Sequence, residues 1–477
     1  MRIRTIGLLV SAGLAAAMPA CAHAQQPTAF TDIDVVDVAT GRLIEDRTVL
    51  VEDGRIVAIG DGSNPLPDGA AVIAGTGLYL APGLADMHTH TWYEQVQLPL
   101  ALTFGVTTIR EMSGNQATLD ARAAITSGDM LGPRIITAGP IVDGDPPVWP
   151  GSAMLTDPAM ADQLVAEQAA AGYDFIKPYD RLTREAFAAL AEAAHRHGLP
   201  IAGHVPNRVP IDEAIAAGMT SIEHISATWE KEALRPEVDR AMMNWQQERI
   251  DLGNRVAVGE LSLDEIYDWD QLRAIARRVA QAGVAVTPTL ALDHRYLQTA
   301  AERAESMALP EMRFASPAMR NSWVAFELSD AMGWDDDAIL ALRALVFAED
   351  AIVQILHEEG VLLLAGTDTA NAFMVHGWSL NDELVALRDA GLSDAEAIRT
   401  ATLNPARYLG EEGEWGEVRP GARADLVLLA ANPLEDVANY RQIAGVMVAG
   451  RWLDAATIAQ MQGEGQAAYA AIPVEEP

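Results

Sequence analysis

Leu84-Ala85-Asp86-Met87-His88-Thr89-His90 is an apolar run that ends in two imidazoles. A strand sends residues i and i+2 to the same side, so His88 and His90 leave its C-terminal end together. Two histidines aimed alike can meet one metal ion, or they can form a hydrogen-bonded pair in a core, and the motif alone leaves both readings open. The pattern that follows bears on the choice. Seven more short β-rich runs come after it: Val106–Met112, Arg134–Val142, Phe175–Tyr179, Ile201–Val205, Ser221–Ile225, Val284–Leu290 and Leu362–Asp368. Amphipathic helical stretches separate several of them. Arg184–His197 sets Phe187, Leu190, Ala191 and Ala194 on one face, and Ala344–Glu359 is another such stretch. Strands alternating with helices predict an α/β fold, and eight of them make a closed (β/α)8 TIM-like barrel the natural architecture. A doubly wound open sheet is the competing arrangement, and no Gly-x-Gly-x-x-Gly follows the first strand to support it.

The polar residues at the strand ends fit the barrel. His204 closes the fifth run, His224 the sixth and Asp368 the eighth, while Lys177 lies in the fourth within Phe175-Ile176-Lys177-Pro178. Each sits among apolar neighbours near the C-terminal end of its strand, where barrel enzymes carry their chemistry. A lysine in that setting is costly to bury unless it is paired or modified. One such residue can be an accident. Six, in barrel order, are not explained as core histidines.

Outside these runs the chain changes character. Asp34-Val35-Val36-Asp37-Val38 alternates, and Thr48–Ile59 reads as two strands around an Asp53-Gly54 turn. Similar β patterns return at Gly416–Val418, Ala424–Leu429 and Val446–Arg451. The two ends are therefore expected to meet in one small β-sandwich domain, built from 25–83 and 411–460, with the barrel over 84–410 and a tail over 461–477. Two stretches, 227–283 and 291–343, are too long for plain connections and read as helical inserts, either lids over the active face or an oligomer interface.

Arg2 and Arg4, the apolar run Ile6–Met18 and Ala22-His23-Ala24 compose a secretory leader over 1–24, which predicts a periplasmic or secreted protein. The single cysteine, Cys21, is lost with the leader or, in the alternative reading, becomes a lipidated N-terminus. With simple cleavage no thiolate is left, so a transition metal must rest on His and carboxylates. In the 477 residues, 33 Lys+Arg face 67 Asp+Glu, a formal charge of −34. Such a surface repels phosphate backbones and excludes a nucleic-acid partner. The apolar leader is too short for an integral membrane anchor, which leaves a small-molecule substrate and a possible homo-oligomer as partners.

The chain resembles the amidohydrolase superfamily, in the group of imidazolonepropionase-like and Xaa-Pro dipeptidase-like enzymes. The resemblance rests on Ala81-Pro82-Gly83-Leu84-Ala85-Asp86-Met87-His88-Thr89-His90, Asn404–Gly410, Pro420–Val427 and Ala431–Leu434, and it covers most of the chain beyond the leader. It implies two divalent metal ions. His88, His90 and Asp368 would hold one and His204 and His224 the other, with Lys177 carboxylated by CO2 as the bridge; a single-metal variant is the alternative. Zinc suits such ligands best, and Mn, Co or Fe also fit. Asp368 would be the catalytic base, or a ligand only. The activity implied is hydrolysis of a C–N amide bond in an N-acyl amino acid or an Xaa-Pro type dipeptide, with cyclic amides, lactones or esters as the alternative. A metal- or solute-binding protein of the cell envelope without turnover is the reading from another class.

Further residues can be placed with less. Tyr179 lies two beyond Lys177, on the same side, as an oxyanion donor or a packing tyrosine. Arg110 can bind a substrate carboxylate or brace the barrel in a network with Glu111. His294 and Arg295 follow the seventh strand and His376 the eighth, within reach of a substrate, whereas His195, His197 and His357 fall on helices or their ends. Asn381 stands where relatives often carry His.

Overall fold

The computed structural model describes residues 26–225, 228–241, 245–325 and 334–472, so the leader and Cys21 lie outside the described residues. Five strands come first: β1 (Thr28–Asp37), β2 (Arg42–Glu52), β3 (Arg55–Gly60), β4 (Ala71–Ala74) and β5 (Tyr79–Pro82). Glu52 pairs with Arg55, which leaves Asp53 and Gly54 as a two-residue loop. Both have positive φ, 47° and 75°, as a type I′ hairpin turn demands.

The middle of the chain is an α/β array with parallel strands. β6 (Leu84–Thr89), β7 (Val106–Glu111) and β8 (Arg134–Thr137) pair in parallel. The run expected to reach Val142 breaks at Gly139-Pro140, and β9 (Val142–Asp143) pairs instead with β10 (Ala153–Met154). The fourth segment takes part through single bridges, Ala138 to Phe175 on one side and Ile176 to Ile201 on the other. A second parallel set follows: β11 (Ile201–Gly203), β12 (Met219–Glu223), β13 (Ala285–Thr287) and β14 (Leu362–Leu363). Beyond β14 the chain lies along β6, since Met87 N–H donates to Ala365 O at 2.9 Å and Thr89 bridges Thr369 in parallel. Backbone contacts thus link the eight sequence-predicted segments in chain order, and the eighth to the first.

Helices cover this array. Arg184–His197 starts at the Thr183 cap and stops at Gly198, in the left-handed conformation that closes helices. Asp336–Glu358 begins a good two turns before the expected Ala344, because Asp335 caps it through Ala338 N–H. In the first insert only the segment up to Ile266 is extra, for Trp269–Ala282 is an ordinary crossover helix burying Leu272, Ile275, Ala276 and Val279.

The chain ends return to each other. β15 (Leu426–Leu429) pairs antiparallel with β5, and β16 (Ile443–Val448) and β17 (Arg451–Asp454) extend it, giving one eight-stranded sheet. The far edge bonds back to the segment leading into β15: Ile56 N–H donates to Ala422 O, and Gly421 N–H to Ile56 O. Phe30, Ile33, Val49, Ile56, Leu80, Leu426 and Met447 fill the enclosed core. The expected tail is helical instead, Ala455–Ala471, and Tyr469 is buried edge-on to Tyr93. No described helix is long and apolar enough to cross a membrane.

Candidate metal centre

Three ligand groups meet at the end of β6. His88, His90 and Asp368 each offer one atom within 4.8 Å of the others, so this trio could hold a metal ion. Asp368 Oδ1 lies 3.0 Å from His90 Nε2 and 3.4 Å from His88 Nε2. Asp368 reaches that position with φ at +54°, which turns its side chain off the strand direction, while its N–H donates to His88 O at 2.7 Å. His224, just past β12, is turned the same way, with φ at +68°, and its Nε2 comes to 3.8 Å from Asp368 Oδ2. The His204 and His224 ring centroids are 4.7 Å apart, as are those of His88 and His224. Lys177, 1% exposed, brings Nζ to 3.3 Å from His88 Nε2. All six residues thus converge.

The outer nitrogens of these rings are held by groups that can only accept. His88 Nδ1 donates to Glu223 at 2.9 Å, and His204 Nδ1 to Asp180 at 2.8 Å. Thr289 gives its hydroxyl proton to Pro288 O, so it accepts from His224 Nδ1 at 2.7 Å. In the neutral ring each Nε2 is then a lone pair turned toward the centre, the arrangement metal-binding histidines use. Burial lowers His224 to about 4 and pushes His88 well below the usual histidine range, so both are neutral near pH 7. Burial would also lower His90, but Asp368 and Glu111 raise it, and its proton is the one an arriving cation would displace. Burial alone would raise Asp368, yet the imidazoles around it, of which His90 at 3.0 Å is the one that favours its proton, bring it well below the carboxylate range. Its Oδ1 is buried and receives no well-directed hydrogen bond among the described residues. A carboxylate oxygen buried among imidazoles, two of which turn lone pairs toward it, is stabilised by a cation, so the donor set fits a divalent metal.

Beside this cluster is a cavity of about 290 Å³, with His90, Lys177, Tyr179, His204, His224 and Asp368 in its wall and Trp92 and Trp149 among the remaining lining. Tyr179 accepts a 2.7 Å hydrogen bond from Trp149 Nε1 and stacks on His204 at 3.9 Å. Burial, with the Asp180 charge, raises its phenol, which stays protonated. With its acceptor side taken, the Tyr179 proton is available to the cavity.

Two substrate-binding expectations need correcting. Arg110 is 1% exposed and does not pair with Glu111. It donates to Glu223 at 2.7 and 2.8 Å, to Thr287 at 3.0 Å and to Met87 O at 2.6 Å. It braces the barrel interior under His88 and is not available to a substrate. His294 points to Asp350 at 3.7 Å on the flank of the Asp336–Glu358 helix, with its side chain 39% exposed, and takes no part in the cavity wall. Arg295 lies between Glu311 and Asp382. His376 donates to His90 O at 2.9 Å, a support for the loop, and Asn381 donates to Val437 O. His197 and His357 make exposed pairs with Asp162 and Glu396. Sequence reasoning missed Glu223, Asp180, Thr289 and Trp149. Asp180 had the clearest signal, an acid directly after Tyr179.

The model of the amidohydrolase family matches residues 79–453. Over 118 residues the chain is 30% identical to ochratoxinase of Aspergillus niger, a match covering 24% of this chain and 24% of that protein. That stretch is about a quarter of the curated relative's length. Among solved structures, bottromycin amidohydrolase superposes with a TM-score of 0.71 at 27% identity, covering 93% of this chain and 90% of that one. The A. niger ochratoxinase structure gives 0.62 at 17% identity, over 90% and 96%. A Xaa-Pro dipeptidase structure gives 0.61 at 18%, over 90% and 100%. The last two show likeness of fold alone.

Proposed function

The chain belongs to the amidohydrolase family, and on that premise we propose that it hydrolyses a C–N amide bond of a small molecule with metal-activated water, on a closed (β/α)8 barrel beside a sandwich-like β domain. The observation that carries this reading is the convergence of six ligand-type side chains, five of them in the wall of one cavity, around Asp368, whose buried Oδ1 has no hydrogen-bond partner among the described residues. His88, His90 and Asp368 would hold one divalent ion and His204 and His224 a second, zinc on ligand grounds. Lys177 would join the two sites as its carbamate. Burial lowers its ammonium, which favours the neutral amine that reacts with CO2. When bound, such ions polarise a carbonyl and lower the pKa of water.

The chain's own groups supply the rest. Asp368 accepts a proton from the attacking water as the C–O bond forms. It returns that proton to the nitrogen as the C–N bond breaks, so the products are a carboxylic acid and an amine. The Tyr179 hydroxyl donates to the carbonyl oxygen as negative charge grows there. Glu223, Asp180 and Thr289 keep the imidazoles in place. Esters and lactones present the same carbonyl to the same groups.

Elemental mass spectrometry on the protein lacking its leader tests this. About two ions per chain, falling in Lys177→Ala, is the result expected of a bridged pair. About one ion, unchanged in Lys177→Ala, would remove the bridge. No metal after metal-supplemented expression would remove the hydrolytic reading. The leader would place the activity in the periplasm or outside the cell, and N-terminal sequencing of the exported protein, read for a start at Gln25 or at Cys21, tests that.

A further inference from the structure

We infer that the substrate of this cavity is uncharged near its scissile bond and carries an aromatic or broad apolar group, which is seated against Trp92 and Trp149. The inference rests on the hydrolytic reading above and narrows it.

Charge is the first argument. Among the described residues, Lys177, within the metal cluster, is the one lysine in the cavity wall, and no arginine contributes to it. The two arginines that could have received a carboxylate are engaged, Arg110 by Glu223 and Arg295 by Glu311 and Asp382. The wall carries an acid of its own, Glu111, fixed there by the N–H groups of Thr91 and Ser113 at 2.7 and 3.0 Å. The scissile carbonyl must face the metal cluster. A carboxylate elsewhere on the substrate would then share the cavity with Glu111 and find no lysine or arginine outside the metal cluster among the described wall residues, in a chain of formal charge −34.

Hydrogen bonding is the second. The amide oxygens in the wall are already committed. Asn371 Nδ2 donates to Asp368 O and its Oδ1 accepts from Tyr296, while Asn115 Oδ1 caps a helix through Ala117 N–H. What the wall leaves for a ligand is neutral donors, the Tyr179 hydroxyl and the Asn115 amide N–H groups among them, which suit a neutral carbonyl.

The tryptophans are the third. Trp92 is 55% and Trp149 41% exposed, large apolar surface at the cavity rather than in a core. Neither stacks on another ring among the described residues. The Trp92 backbone N–H donates to Gln97 Oε1 at 2.8 Å, which anchors its place in the chain, and Gln97 is itself fully buried. Trp149 is tied through Nε1 to Tyr179, on a loop that buried Asp143 fastens by accepting from Gly144, Val148 and Arg181 N–H, each at 2.8 Å. Exposed aromatic faces on an anchored backbone beside a reactive centre are a binding surface for flat apolar groups.

The test compares phenylacetyl-phenylalanine with phenylacetyl-phenethylamine, which has the same scissile amide and the same rings and lacks only the carboxylate. Metal-loaded enzyme is assayed for amine release, and binding is followed separately by titration calorimetry. The neutral compound is expected to bind and react with kcat/KM at least about tenfold above the acid. Trp92→Ala is expected to weaken its binding about tenfold, with metal content unchanged. Equal or better use of the acid, or unaltered binding in Trp92→Ala, overturns the inference and leaves amide hydrolysis standing. Selective binding of the neutral compound without release of amine supports the inference and removes amide hydrolysis. Binding of neither compound overturns the inference.

Discussion

Glu223 is the residue on which barrel stability and metal affinity can be separated. Its carboxylate is fully buried and receives Arg110 through both oxygens, Ser221 at 2.5 Å and His88 Nδ1 at 2.9 Å. Glu223→Gln removes the charge and leaves the Arg110 guanidinium buried without a counter-ion. Breaking a buried pair from one side costs about 3–5 kcal/mol, and the lower end is expected because the amide oxygen still accepts one Arg110 bond. The same change turns a charged acceptor at His88 Nδ1 into a neutral one, and losing such an outer partner weakens metal binding about 10–100-fold. Adding Arg110→Met deletes the stranded cation. The double variant is therefore expected to regain most of the lost stability, because removing both charges is far cheaper than removing one. It is not expected to regain metal affinity, since His88 still faces an amide. Urea midpoints of the metal-free proteins report the first quantity, and zinc competition against a calibrated chelator reports the second. A double variant as unstable as Glu223→Gln would refute the ion-pair argument. Zinc affinity in Glu223→Gln within twofold of the parent would refute the role given to the His88 contact.

Four further outcomes follow from the same geometry. Tyr179→Phe should lower kcat about 10²–10³-fold as an oxyanion donor does. Trp149→Phe, which keeps the aromatic wall and loses the 2.7 Å bond, should lower kcat only about fivefold, with KM nearly unchanged; a larger change in KM than in kcat would contradict the positioning role. Burial raises Glu383 to about 8, so the folded protein keeps a proton that the unfolded chain releases near 4.5. That contribution to stability is complete below about pH 4.5 and is lost as pH rises through 8. Glu383→Gln should therefore flatten the change in urea midpoint between pH 5 and pH 8, and an unchanged slope would exclude Glu383 as its source. At Gly366 an added Cβ would meet His88 Cβ at 2.7 Å and His88 N at 2.9 Å, so Gly366→Ala should displace the ligand strand and lower metal content; full metal content would contradict that crowding.

The parallel segments and the histidine set were legible because both are period-two signals repeated in the same place. An apolar run ended by a polar residue needs no distant information, and His88, His204 and His224 each stand at such an end. The partners of these residues were less legible, because they are far apart in sequence. Arg110 and Glu223 are separated by 113 positions. One part of that error was avoidable. Adjacent strand residues point to opposite faces, so Arg110 and Glu111 could not have paired within a regular β7. The same alternation sends Glu111 to the backbone of Thr91 and Ser113 and Arg110 inward to Glu223.

Three sequence-predicted strands, the sixth, seventh and eighth, end sooner than their apolar pattern suggests, at Glu223, Thr287 and Leu363. Within the remainder of the predicted runs Ser221–Ile225, Val284–Leu290 and Leu362–Asp368, His224, Thr289 and Asp368 take φ values of 68°, 55° and 54°. Histidine and aspartate are enriched in the left-handed region and threonine is not, but all three are uncommon there, and none announces the turn within a β-rich run. The conformation is maintained by what surrounds it. His224 N–H donates to Thr287 O, Thr289 accepts from His224 Nδ1, and Asp368 N–H donates to His88 O. Two of the three residues are ligand candidates and the third orients one of them. Regular strand geometry would alternate these side chains up and down the sheet, whereas a left-handed turn at each strand end sets them at one centre. The departures from pattern and the chemistry are thus the same feature: the backbone is strained where the ligands must converge, and the surrounding hydrogen bonds hold it there.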